Sequence, residues 1–105
     1  MRAYELYESG NPTATPLDFA RAVLVPQMGF KEYTPDFMFV KYISDSYYIT
    51  ARCASYTALD LFDRNTMKSV DKLVLQGDVT FRTKHQILNK ITEWTKQHSA
   101  QDPQL

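Results

Sequence analysis

The chain has 105 residues, twelve of them basic and twelve acidic, so its formal charge is zero. That balance argues against a partner held mainly by charge, which sets aside duplex DNA and anionic membrane surfaces. A single cysteine, Cys53, excludes an intrachain disulfide and any thiolate metal cluster, and it fits a reducing, cytoplasmic compartment.

Hydrophobic residues make up 44% and charged residues 23%, the balance of an ordered globular chain. One α+β domain over residues 1–98 is expected, with a frayed tail at 99–105. The longest apolar runs, Ala22 to Val25 and Phe37 to Val40, are four residues long, far short of the roughly 20 that cross a bilayer. No apolar run follows Arg2, so no secretory signal is expected.

In chain order, residues 2–8 alternate loosely and read equally as a strand or a frayed helical turn. Ser9-Gly10-Asn11-Pro12 breaks them. The opening Met1-Arg2-Ala3-Tyr4-Glu5 resembles that of small tailed-phage accessory proteins. The resemblance implies an origin in a phage or other mobile element and names no activity.

Thr15-Pro16-Leu17-Asp18 is a helix start: a capping hydroxyl, a proline at the first helical position and a carboxylate at the positive end of the dipole. The helix is expected over 16–25, ending or kinking at Pro26, with Gly29 marking the exit. Residues 30–35 read as a connector with room for a short extended piece. From 37 onward the runs are short, rich in β-branched and aromatic residues, and separated by Ser, Asp, Asn and Gly. Strands are expected at 37–43, 47–53, 58–62 and 68–75, with a short fifth strand or a helix lead-in at 79–81. On the second of these, Tyr47, Ile49, Ala51 and Cys53 face the core, while Tyr48, Thr50 and Arg52 face away. Asn65 is the residue expected to turn left-handed between the third and fourth.

Thr83 with Gln86 matches a capping box, and Ile87, Leu88, Ile91, Trp94 and Thr95 then recur at helical spacing through His98. The fold class is therefore α+β: a four- or five-stranded, mainly antiparallel sheet with an N-terminal helix and a C-terminal amphipathic helix packed on it. The loops are too short for the crossovers of a doubly wound sheet.

No catalytic or cofactor motif is present. His85 and His98 stand nearly four turns apart on one helix and cannot share an ion, so no metal is expected. Cys53, on the apolar side of a strand, reads as a small buried hydrophobe. Asp60 with Asp63, or Asp36 with Asp45, are carboxylates that could converge, and each reads as a solvated turn or strand residue. An enzyme and a cofactor are not expected.

The informative excess is aromatic: seven tyrosines, six phenylalanines and one tryptophan. Tyrosine brings a large apolar area with a polar tip, which suits interfaces. Tyr42, Tyr48 and Arg52 form the candidate binding ledge, with Lys41 beside them. The expected function is a protein-binding module, an inhibitor, adaptor or assembly component. The alternative is a single-stranded nucleic-acid binder that stacks bases on the same ledge. The 37–43 strand also bears on self-association. At a sheet edge its apolar faces would pair with a second copy in a twofold dimer, whereas in the interior it would need none.

Overall fold

The computed structural model describes residues 13–99. The expectations for residues 2–12 and for the tail beyond Ser99 lie outside the described residues.

After a two-residue strand, β1 (Thr13–Ala14), Thr15 is extended and its Oγ1 accepts the Asp18 N–H at 3.1 Å. Pro16 takes the first helical position, so this helix start is as the sequence reads. The helix does not end at Pro26, although its exit at Gly29 is as the sequence reads. Helix α1 continues through Pro16–Phe19, Ala20–Leu24 and Val25–Met28, past Pro26. Its middle segment is a π-turn in which the Val25 N–H bonds the carbonyl of Ala20, five residues back. The wider turn makes room for the proline ring, and Pro26 has no N–H to leave unpaired. Gly29, at φ +81°, then stops the helix in the left-handed conformation that glycine adopts without strain.

Five strands follow as an antiparallel meander in sequence order: β2 (Lys31–Thr34), β3 (Met38–Tyr42), β4 (Tyr47–Cys53), β5 (Tyr56–Asp63) and β6 (Lys68–Gln76). The short extended piece allowed for in the connector is β2, a full strand of the sheet. In the β5–β6 loop the left-handed residue is Met67, at φ +60°, and not Asn65. The Asp63 carboxylate explains this: its Oδ1 accepts the N–H groups of Asn65 at 2.8 Å and Thr66 at 3.4 Å, winding the loop early. The left-handed step needed to re-enter the sheet then falls to Met67.

A short strand, β7 (Val79–Thr80), pairs with β1 in a separate two-stranded sheet and leads into helix α2 (Phe81–Ser99). The reciprocal threonine pair sits three residues ahead of the expected box. Thr80 Oγ1 accepts the Thr83 N–H at 3.2 Å, and Thr83 Oγ1 accepts the Thr80 N–H at 2.7 Å. Thr83 is thus the third helical residue rather than the cap, because another threonine stands three positions earlier.

Strand alternation puts Phe39, Ile49, Ala51, Cys53, Leu59 and Leu61 on one face of the meander, all buried. Phe19, Val23 and Leu24 of α1, and Ile87, Ile91 and Trp94 of α2, join the same cluster. Both helices therefore lie on that inner face, and no described helix covers the outer one. The 37–43 region forms an interior strand, with β2 on one side and β4 on the other. The dimer expected from edge pairing of this strand has no free edge to use. Among the five strands, β2 and β6 are the edges.

Candidate binding face

The outer face is organised in cross-strand rows. Tyr42, Tyr48 and Phe62 stand opposite one another on β3, β4 and β5. The rings of Tyr42 and Tyr48 are 5.7 Å apart and tilted, whereas Tyr48 and Phe62 are stacked at 5.3 Å with 15° between planes. The next row is Val40, Thr50 and Asp60, and the one beyond is Met38, Arg52 and Ala58. From the β5–β6 loop the Arg64 guanidinium reaches to 4.8 Å from the centre of the Tyr42 ring.

Between these rows the surface is concave. A hollow of about 380 Å³ is bordered by Tyr33, Met38, Val40, Tyr42, Arg64 and Met67. A second, of about 410 Å³, shares Tyr33, Val40 and Tyr42 and extends to Lys31 and Gly29 at the sheet edge. A third, of about 420 Å³, shares Met38 and Tyr48 with the first and reaches Arg52, Asp60 and Phe62. Together they make one shallow groove from β2 to β5. Tyr33, Tyr42 and Met67 are the most open of its large hydrophobic side chains, at 71%, 63% and 65% exposure. Such exposed apolar area clustered on one sheet face marks a contact surface more readily than scattered hydrophobes do.

Three of the four residues expected at the site, Tyr42, Tyr48 and Arg52, share this face. Lys41 does not. Strand alternation turns it to the inner side, where its Nζ donates to the Met28 carbonyl at 2.7 Å. There it neutralises the negative end of α1. Arg52 is on the face but engaged: its Nη2 meets Asp60 Oδ2 at 3.2 Å, and Ser69 Oγ is 3.4 Å from the other carboxylate oxygen. Asp60 itself is only 7% exposed, so it is not the solvated strand residue that the sequence suggests.

Tyr33, Arg64 and Met67 belong to the groove and were not singled out by sequence. Tyr33 sits in the four-residue strand taken for a connector, and the other two sit in a turn. The Tyr33-Thr34 pair, both strand-favouring residues, was the available signal.

On the edge side, Arg21 of α1 binds both Glu32 and Asp36, and Glu32 also accepts the Asp36 N–H at 2.6 Å. That backbone bond, reinforced by Arg21, holds the Glu32 carboxyl below its ordinary range. The cluster pins the β2–β3 turn, where Asp36 is left-handed at φ +61°.

Cys53 faces the core at 2% exposure, and desolvation pushes its thiol up to about 12. At pH 8 its thiolate population is then about 10³-fold smaller than that of a free thiol. Iodoacetamide should therefore label the native protein far more slowly than the denatured chain. Equal rates would show that Cys53 is solvent-accessible. His85 contacts Phe81 at 4.6 Å and His98 contacts Tyr47 at 4.2 Å, so the two imidazoles serve separate packing sites. Among the described residues no three metal-ligating side chains converge, and no helix is long and apolar enough to cross a membrane. No protein-family model, curated protein or solved structure matches the chain.

Proposed function

We propose that the chain is a non-enzymatic protein-binding module, an inhibitor, adaptor or assembly component that works through the outer face of its sheet. The observation that carries this reading is the groove itself. It is aromatic and aliphatic, it is concave, and no described helix covers it. Tyrosine and methionine are suited to such a surface, since they bury large areas at modest entropic cost while keeping polarity or adaptability. The resemblance of the first five residues to tailed-phage accessory proteins supports a small accessory role encoded by a phage or other mobile element.

The nucleic-acid alternative needs open ring planes and a free guanidinium for stacking. Tyr48 has one plane against Phe62, Tyr42 lies under Arg64, and Arg52 is tied to Asp60. These engagements favour a protein partner over bases.

The test is affinity capture from cells of the source organism with the native chain and with a Tyr42→Ser/Met67→Ser variant. Both substituted side chains are exposed, so the variant should melt with the native protein. The expected result is a protein partner held by the native chain, lost from the variant, and little affected between about 50 and 200 mM salt. Retention of nucleic acid that falls off steeply over that range would sink the reading. A partner held equally by both forms would move the interface off this face. Light scattering on the same samples distinguishes a different protein from a second copy of the chain.

A further inference from the structure

The groove runs out at a sheet edge. β2 has a strand neighbour on one side only, and all four of its residues are exposed. On the free side of an antiparallel edge strand, alternate residues turn their N–H and C=O groups outward, a template for one more strand. The other edge, β6, is longer and carries Lys68 and Lys72, but none of its residues borders the groove. The register shift in β2, between Glu32 and Thr34, falls at Tyr33, which lines the groove.

Charge decides what such a strand would carry. The acidic groups at the groove are already occupied: Glu32 by Arg21 and the Asp36 N–H, and Asp60 by Arg52 and Ser69. The cations are not paired with an acid. Lys31 borders the hollow beside Tyr42 from the edge strand, and Arg64 stands over the Tyr42 ring from the β5–β6 loop, with Nη1 3.4 Å from the Ser44 carbonyl. Neither meets a carboxylate among the described residues. The unmatched charge of this apolar groove is therefore positive.

We infer that β2 and the adjoining groove receive an extended acidic segment of a partner protein. The segment adds to the sheet as a sixth strand, seats alternate apolar side chains against Tyr33 and Tyr42, and presents carboxylates to Lys31 and Arg64. This mode draws affinity from main-chain hydrogen bonds and specificity from the alternate side chains. The inference rests on the protein-binding reading above and names the chemistry of the partner for the same face.

The probe is a synthetic peptide, acetyl-Asp-Thr-Phe-Thr-Phe-Thr-Asp-amide, added to the isotope-labelled full chain and followed by amide NMR. Its acidic ends make the strand direction immaterial. The expected result is shifted, exchange-protected amides in Lys31–Thr34. The same peptide with lysine ends should bind at least about tenfold more weakly. A Lys31→Glu/Arg64→Glu variant should reverse that preference while keeping the native spectrum elsewhere, since both residues are exposed. The inference is overturned if neither peptide binds at millimolar concentration, if protection appears along Lys68–Gln76 instead, or if charge reversal leaves the preference unchanged. Binding that survives N-methylation of alternate peptide amides also overturns it, because the segment would then lie on the face without extending the sheet. Each of these failures leaves capture through Tyr42 and Met67 standing. Capture that ignores Tyr42 and Met67 strikes the broader reading instead.

Discussion

Trp94→Ala is expected to destabilise the fold by about 3–5 kcal/mol. Trp94 is 1% exposed and stands with Ile87 and Ile91 on the face of α2 that closes the core. Its truncation loses the largest buried side chain and leaves a cavity between helix and sheet. A domain of this size has about 5–15 kcal/mol in hand, so the variant should sit close to its unfolding threshold. Denaturant titration measures the loss, and the single tryptophan of the native chain should emit as a buried indole. Native emission like that of indole in water, with an unchanged midpoint in the variant, would move Trp94 to the surface. Trp94→Phe isolates the polar contact, because it keeps most of the apolar area but removes the Nε1–H donated to Asp71 Oδ2 at 3.1 Å. That bond is the main cause holding the Asp71 carboxyl below its ordinary value of 3.8, with the Lys72 N–H and the Lys90 charge assisting. A depressed carboxyl stabilises the fold fully above its unfolded value and loses that contribution as pH falls through the folded one. The stability gap between native and Trp94→Phe should therefore be flat at neutral pH and shrink as pH drops below 3.8.

What could be read from the sequence follows the range of the physics involved. Strand β4 is legible residue by residue, because a period of two and one apolar face leave a single assignment for Ile49, Ala51 and Cys53. The buried stripe of α2 is legible for the same reason at a period of 3.6. The passage of α1 through Pro26 is not, because the Ala20–Leu24 π-turn is a local exchange of hydrogen-bond partners with no composition of its own. Lys41 shows a second kind of limit. Its strand position alone sends it inward, against the usual cost of burying a lysine. Only the position of the Met28 carbonyl, fixed by where α1 ends, makes that side habitable for an ammonium. Tyr33 was missed because β2 is four residues long, too short for alternation to register. Which sheet face stays open depends on the side to which both helices pack. That side is set by long-range geometry and not by any one segment.

The Arg52–Asp60 pair on the open face should be worth more than an ordinary surface ion pair and less than a fully buried one. Exposed pairs contribute about 0–1 kcal/mol, whereas stranding a buried charge costs about 3–5 kcal/mol. Here the two partners differ: the side chain of Arg52 is 42% exposed, but that of Asp60 only 10%. Removing Arg52 leaves a largely desolvated carboxylate with Ser69 Oγ at 3.4 Å and the Lys72 position directly across the strand. Water can reach the site from the Arg52 side, which discounts the penalty. Arg52→Ala is therefore expected to cost about 2 kcal/mol at neutral pH. An Arg52→Met/Asp60→Leu double variant should come close to native stability, since an apolar pair of similar volume needs neither charge. Denaturant midpoints of Arg52→Met, Asp60→Leu and the double complete the cycle. A cost near zero for Arg52→Ala would mean that solvent already hydrates Asp60. If Arg52→Ala is weak while Arg52→Met alone stays near native stability, Arg52 supports the face through its packed stem and not through its charge.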